Sequence, residues 1–218
     1  MTNAVSILLV DDHVAIRKGL HVLLSVKPGW KIVGEACNGR EAIESARAHQ
    51  PDLIIADISM PQLNGLDAIP RLLRAAPNAR VVILSMHDEE GLIQRALQAG
   101  ASAFVLKSDA EPSLLTALDR VLKGNKFVSP SVTRIVLNGL PGEKNNHRGA
   151  GNCGLLTERE QEVVQLLAEG YSNKQVANQL MISVRTAENH RARLSKKLGV
   201  GSLSGLIRYA IRNHIISP

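Results

Sequence analysis

The sequence predicts a doubly wound α/β domain on a five-stranded parallel sheet, followed by a small all-α domain of four helices. Three observations predict it. Short apolar runs alternate with amphipathic stretches through the first 124 residues. Most of those runs end on a carboxylate, a hydroxyl or a lysine. Beyond residue 155 the alternation stops, and helix-start signals recur at short intervals.

The apolar runs at 6–10 (SILLV), 32–36 (IVGEA), 53–56 (LIIA), 81–84 (VVIL) and 103–106 (AFVL) read as strands. Three of them are almost continuous in apolar residues, as strands buried on both faces must be. Between and after them lie helix-like stretches near 13–25, 39–49, 67–76, 90–99 and 112–123. The last opens with Pro112, whose fixed φ suits a first helical turn. Strands alternating with helices imply a parallel sheet with crossover helices. The first domain is expected at 1–124, a linker at 125–154 and the second domain at 155–218.

Within the linker, 131–137 has the character of a short helix. The stretch NGLPGEKNNHRGAGNCG at 138–154 lacks periodicity and large apolar residues, and reads as a flexible connection. In the last part Thr157 and Glu160 form a capping-box pattern. That helix is expected to reach Glu169, with Gly170 as its stop. Ser172 can cap a second helix to Leu180. Ser183 can cap a third to about Lys197, ended by Gly199, and a fourth should span 202–213. Two short helices meeting at Met181-Ile182 have helix-turn-helix spacing.

Composition bounds the rest. A chain of 218 residues is comfortable for two domains. Hydrophobic residues make up 44% and aromatics 2%, so the cores must be aliphatic. No apolar run approaches the ~20 residues of a bilayer span. Met-Thr-Asn-Ala leads directly into a strand, so no signal peptide is expected. Cys37 and Cys153 give neither a disulfide framework nor a metal spacing. A cytoplasmic protein with no membrane partner is expected. Charge is uneven: residues 1–124 hold 13 Lys/Arg and 14 Asp/Glu, net −1, and residues 125–218 hold 13 and 6, net +7. Only the second part is suited to a polyanion.

In open parallel sheets, function gathers beyond the carboxyl ends of the strands. Asp11 and Asp12 follow the first strand, Asp57 the third, Ser85 the fourth and Lys107 the fifth. Strand order 2-1-3-4-5 would bring these ends side by side. An aspartate can accept a phosphoryl group as an acyl phosphate. Magnesium takes oxygen ligands and keeps several waters, so two or three carboxylates suffice to hold it. A hydroxyl and an ammonium can meet the phosphoryl oxygens. Singly, these residues read as a helix cap, a turn hydroxyl and a solvated lysine. Caps and turns do not account for all four strand ends together.

In the third C-terminal helix, Val184, Ala187, Leu194 and Leu198 recur at helical spacing and should be buried. That turns Arg185, Glu188, Asn189, Ala192, Arg193 and Lys196 outward. Ser172, Asn173 and Lys174 open the preceding helix, whose free N–H groups can meet a phosphate. Thr186 and His190 complete the candidate DNA-binding set.

These residues carry a resemblance. VDDH at 10–13, DISMPQLNGLDA at 57–68, LSMH at 84–87 and FVLK at 104–107 resemble the receiver domain of two-component response regulators, over roughly 4–124. The resemblance implies that Asp57 is the phosphoacceptor, Asp12 a direct Mg2+ ligand and Asp11 a ligand through water. It implies that the main-chain carbonyl of Ser59 completes the metal shell, and that Met60-Pro61 and Gly65 shape the loop. Ser85 would be the switch hydroxyl, Phe104 the switch aromatic and Lys107 the phosphate partner. Ser108 stands where many receivers have Pro, which leaves open the cis peptide usual there. Residues 156–213 resemble the LuxR-type helix-turn-helix, giving the NarL/FixJ architecture. The partners implied are a sensor histidine kinase, double-stranded DNA and a second copy of the chain. Two positions depart from the commonest pattern: Met181 where Gly is frequent, and Glu188 where Lys is frequent.

Two other readings compete. Phosphatases of the haloacid-dehalogenase type also use Asp, magnesium, Ser/Thr and Lys on a parallel sheet. They place their acids as Asp-x-Asp after the first strand, whereas here those acids are adjacent and the lone Asp follows the third. The second alternative is a DNA-binding protein whose first domain only dimerises; the complete acidic set argues against it.

Overall fold

The computed structural model describes residues 4–133 and 156–216. They form two compact units, one containing the sheet and the other the C-terminal helices.

The first unit follows the expected alternation: β1 (Val5–Val10), α1 (Val14–Ser25), β2 (Trp30–Ala36), α2 (Gly39–His49), β3 (Leu53–Ala56), α3 (Gly65–Ala75), β4 (Arg80–Ser85), α4 (Glu90–Gln98), β5 (Ala103–Leu106) and α5 (Ala110–Leu122). All strand pairs are parallel, and β2-β1-β3-β4-β5 is the order expected. Side chains alternate between the faces of each strand. Ile7, Leu9, Leu53, Ile55, Val82, Leu84 and Val105 therefore share one face, where they pack with Leu20 and Leu24 of α1 and Leu114, Leu118 and Val121 of α5. Leu8, Ile54, Val81, Ile83 and Phe104, all buried, face the opposite way.

The sheet has a sixth strand that the pattern did not announce. β6 (Phe127–Val128) pairs in parallel with β5, in register Ala103↔Phe127. Its N–H of Phe127 donates to Ser102 O at 3.1 Å, and Ser129 N–H to Phe104 O at 3.0 Å. Two residues are too few to show a period, which is why it was invisible.

Helix ends also moved for physical reasons. α3 begins at Gly65, because Asn64 caps it by accepting from Asp67 N–H at 2.8 Å. It continues through Pro70, whose missing N–H removes one helix bond near the middle. A 3-10 turn at Lys107–Asp109 leads into α5, so Pro112 falls third in the helix, still in its first turn. The Lys107–Ser108 peptide is trans. Of the expected linker, residues 130–133 are helical. The remainder of the 131–137 helix and the flexible stretch at 138–154 lie outside the described residues.

The second unit consists of α6 (Glu158–Ala168), α7 (Asn173–Leu180), α8 (Val184–Leu198) and α9 (Leu203–Arg212). Three of the four caps, those of Thr157, Ser172 and Ser183, are the expected ones. Thr157 and Glu160 form a reciprocal capping box, as do Ser172 and Gln175; Ser183 and Ser202 cap α8 and α9. Gly170 (φ 91°) and Gly199 (φ 65°) take the left-handed conformation that ends a helix. Met181 does so without being glycine, at φ 52°, and is 95% exposed. Val163, Val164, Leu166, Val176, Leu180, Ala187, Leu194, Leu206 and Ala210 make the core. One expectation fails: Val184 is exposed, because it is the first residue of α8 and precedes the turn that packs inward.

Candidate functional site

The register puts the carboxyl ends of β1, β3, β4 and β5 together. Val10 pairs with Ala56, Ala56 with Ile83, and Ser85 with Leu106. The next residues along β1, β3 and β5 are Asp11, Asp57 and Lys107. Asp11 N–H donates to Ala36 O at 3.1 Å and Asp57 N–H to Val10 O at 2.8 Å, so both acids are still anchored to the sheet. Asp11 and Asp57 are 2% and 4% exposed.

Lys107 joins them. Its Nζ donates to Asp11 Oδ2 and to Asp57 Oδ2, each at 2.8 Å. The other Asp57 oxygen, Oδ1, accepts from Ile58 N–H at 2.7 Å. Burial pushes the Asp57 carboxyl above the ordinary aspartate range; the Lys107 ammonium opposes this and the neighbouring Asp11 adds to it. Burial would lower Lys107, but the two carboxylates outweigh it and hold the ammonium above the ordinary lysine value. The lysine is therefore charged and fixed, not a solvated surface group.

Asp12 does not cap α1. The N-cap is His13, which makes no side-chain cap bond, while Asp11 Oδ1 accepts the His13 N–H at 2.8 Å. Asp12 is 31% exposed, and its Oδ1 lies 2.7 Å from His13 Nδ1. That oxygen nevertheless lacks a well-aligned donor. Asp11, Asp12, His13 and Asp57 each present a ligand atom within 4.8 Å of the others. Several oxygens converging on one point, one of them without a hydrogen bond, suit a hard cation.

The loop after β3 depends on Gly65. A Cβ there would lie 1.8 Å from the Asp57 carbonyl oxygen, and Gly65 N–H donates to Ile58 O at 2.8 Å. Only glycine allows α3 to start so close to Asp57. Ser59 lies two residues beyond Asp57, and its hydroxyl pairs with His87 Nε2 at 2.9 Å. Ser85 is fully buried, and its hydroxyl accepts His87 N–H at 3.1 Å. Phe104 is fully buried in the sheet. His87 was not singled out from sequence, and neither were His13 and Arg17. None of them lies directly at a strand end, and the resemblance to receivers assigns none of them a role.

In the helical unit, α7 and α8 present the second set. Ser172, Lys174, Arg185, Glu188, Asn189, Arg193 and Lys196 are exposed; Asn173, Thr186 and His190 are half-buried. Some candidates have local partners. The Ser172 hydroxyl bonds Gln175, and Thr186 Oγ1 is 2.8 Å from Ser183 Oγ. Arg185 Nη1 and Glu188 Oε2 are 4.0 Å apart on an open surface, a pair of little energetic weight. At the end of α8, Lys197 is committed to Glu160 at 2.7 Å, whereas Lys196 is exposed. Arg159 donates from Nη2 to Leu180 O at 2.6 Å and from Nη1 to Glu162 at 2.8 Å, fixing the end of α7 where the turn begins.

Comparison with known proteins covers both units. Residues 7–119 match the response regulator receiver domain family, and 154–210 match the bacterial regulatory proteins of the luxR family. The chain is a DNA-binding two-component response regulator. It belongs to a family of transcriptional regulators, not enzymes, which removes the phosphatase alternative. This response regulator is 31% identical to the oxygen regulatory protein NreC of Staphylococcus carnosus (strain TM300), over 96% of this chain and 98% of the relative. It is 35% identical to the transcriptional regulatory protein MctR of Rhizobium johnstonii, over 98% and 96%. Among solved structures it resembles RcsB of Salmonella enterica serovar Typhimurium bound to promoter P1flhDC with the phosphomimetic BeF3−. That likeness has a TM-score of 0.59 at 26% identity, over 96% of this chain and 99% of the other. Among the described residues, no helix is long and apolar enough to cross a membrane.

Proposed function

We propose that a sensor histidine kinase transfers a phosphoryl group to Asp57, and that the modification raises the affinity of the C-terminal helices for double-stranded DNA. The observation that carries this is the Lys107 ammonium held between two buried carboxylates, one of them at the end of β3. Phosphorylation of Asp57 would change the charge that Lys107 faces and force a new set of partners on it. Ser85 would supply a hydroxyl to a phosphoryl oxygen, and Phe104 would repack with the moving strand end.

Asp11, Asp12, Asp57 and the main-chain carbonyl of Ser59 would hold Mg2+. The ion would neutralise charge on the phosphoryl oxygens. Asp57 itself would act as the nucleophile, so its carboxylate must be free and ionised at the moment of attack.

In the second unit, Asn189 and Glu188 would face base edges, while Ser172, Asn173, Lys174, Arg185, Thr186, His190, Arg193 and Lys196 would line the phosphate backbone. RcsB has been solved as two dimers bound to two parallel DNAs; for this chain we infer a homodimer on phosphorylation or on DNA. We propose a receiver over 1–124 that β6 extends to Val128, a linker from there to 154, and a DNA-binding domain at 155–218. Action on chromosomal DNA implies a cytoplasmic location.

The test is intact mass after incubation with Mg2+ and acetyl phosphate. One phosphoryl group is expected on the parent and none on Asp57→Asn. An undiminished adduct in that variant would remove the assignment.

A further inference from the structure

Arg17 lies in α1, one turn after His13, and reaches back to the acidic turn. Its Nη1 donates to the Asp11 main-chain carbonyl at 2.6 Å, and its Nε to Glu35 Oε2 at 2.6 Å. The second Glu35 oxygen is 2.9 Å from His21 Nε2, one turn further along α1. Arg17 is 16% exposed and Glu35 41%. The Glu35 carboxyl is held below the ordinary glutamate range, first by its bond from Arg17 and then by that from His21.

The Asp11 peptide is thereby held from β2 on both sides. Its N–H is bound by Ala36 O, and its C=O by Arg17, which Glu35 anchors from the residue before Ala36. Asp12 follows directly and has no side-chain cap to fix it. By charge alone, a guanidinium is a poor neighbour for a cation site, because like charges repel. An exposed Arg–Glu pair would also add little stability. What this arginine offers is its planar fork, which spans two acceptors at once where an ammonium cannot.

We propose that Arg17, anchored by Glu35, is a positioning residue that fixes the Asp11–Asp12 turn and thereby sets the affinity of the acidic cluster for a divalent cation. This role rests on reading that cluster as the Mg2+ site. Groups that orient metal ligands without touching the metal commonly change affinity 10–100-fold when removed.

The experiment measures Mn2+ binding to the full chain through the EPR signal of free Mn2+, with no phosphodonor present. Arg17→Met is expected to bind about tenfold more weakly than the parent. A purely electrostatic arginine would give the opposite sign, since its removal would tighten binding. Arg17→Lys keeps the charge but loses the fork, so it too should bind more weakly than the parent. Glu35→Gln keeps Arg17 and loosens its anchor, so it too should weaken binding, and Arg17→Met/Glu35→Gln together should be no worse than Arg17→Met alone. A thermal melt of each variant separates lost affinity from lost fold; Glu35→Gln should weaken binding at an unchanged melting temperature. Binding by Arg17→Met as tight as the parent's, or tighter, overturns the proposal. A parent that binds no Mn2+, or an Asp12→Ala that binds as well as the parent, overturns the metal reading and this role with it.

Discussion

The two candidate sites are built in opposite ways. In the receiver the decisive groups are buried, few and mutually bonded: Asp11 and Asp57 are nearly inaccessible, and Lys107 bridges them. In the helical unit they are exposed and spread along α7 and α8, and the only charge pair among them is the loose one at 4.0 Å. The difference follows from the task. A covalent change of one carboxylate must be felt through fixed neighbours in a medium that does not screen it. A polyanion is met by many cations acting through counterion release, which needs reach and water and not burial. The receiver site should thus be intolerant of single changes, and the helical site should lose function in graded steps.

The sharpest way to break this contrast is to remove one lysine from each unit. Lys107→Ala leaves two buried carboxylates facing each other and should cost about 3–5 kcal/mol of stability, the range for a broken buried ion pair. Lys197→Ala removes a partly exposed partner of Glu160 and should cost about 0–1 kcal/mol. Denaturant unfolding of both variants checks this. Equal costs would mean that burial is not what distinguishes the two sites.

Glycines sharpen the same point. Gly65→Ala puts a Cβ into the Asp57 carbonyl and must displace the loop after β3, so a loss of about 1–3 kcal/mol and of acetyl phosphate labelling is expected. Gly199→Ala meets nothing within 4 Å and is strained only by its φ of 65°, so it should cost about 1 kcal/mol and leave labelling intact.

On the DNA side the steps should be smaller and divisible. Asn189→Ala should relax sequence preference at one base position, losing roughly 1–3 kcal/mol if its contact is bidentate. Lys196→Ala should weaken all sequences alike and reduce the salt slope by about 1. Glu188→Lys should raise non-specific affinity while shifting base preference. Binding-site selection and salt titration read these separately; an unchanged preferred sequence in Asn189→Ala and Glu188→Lys would remove α8 as the reader.

The smallest effect expected is on pH. Glu160 is held below the ordinary glutamate range by Lys197 and by the Thr157 N–H. Its folded pKa is depressed, so its contribution is complete above the unfolded value and fades as pH falls through the folded one. Glu160→Gln should flatten the acid-side fall of the melting temperature. An unchanged acid limb would show that the capping box does not depend on this charge.

The sheet was legible because buried parallel strands are nearly pure apolar runs, and the acidic site because its members end those runs. The C-terminal helices were legible through their caps; Thr157, Ser172 and Ser183 serve as expected, while Ser202, expected as the first residue of the last helix, is its cap. The left-handed Met181 was also readable, since a turn that favours glycine carries methionine there. What escaped was whatever lacked a period or a local signature. β6 is two residues long. Val184 shares the apolar spacing but falls on the first turn of α8, ahead of the core. Arg17 and Glu35 act across a strand pair, six and 24 positions from Asp11, and no short-range pattern links them. Sequence periodicity finds elements and their ends; it does not find the groups that hold those ends in place.

The account turns on Asp57 controlling DNA binding. The direct measurement takes genomic fragments selected by the protein and compares their affinity for one preparation before and after acetyl phosphate treatment, with intact mass giving the phosphorylated fraction. The parent should bind more tightly in proportion to that fraction, and Asp57→Asn should be indifferent to the phosphodonor. Equal affinity of fully phosphorylated and untreated parent, or the same gain in Asp57→Asn, would contradict it.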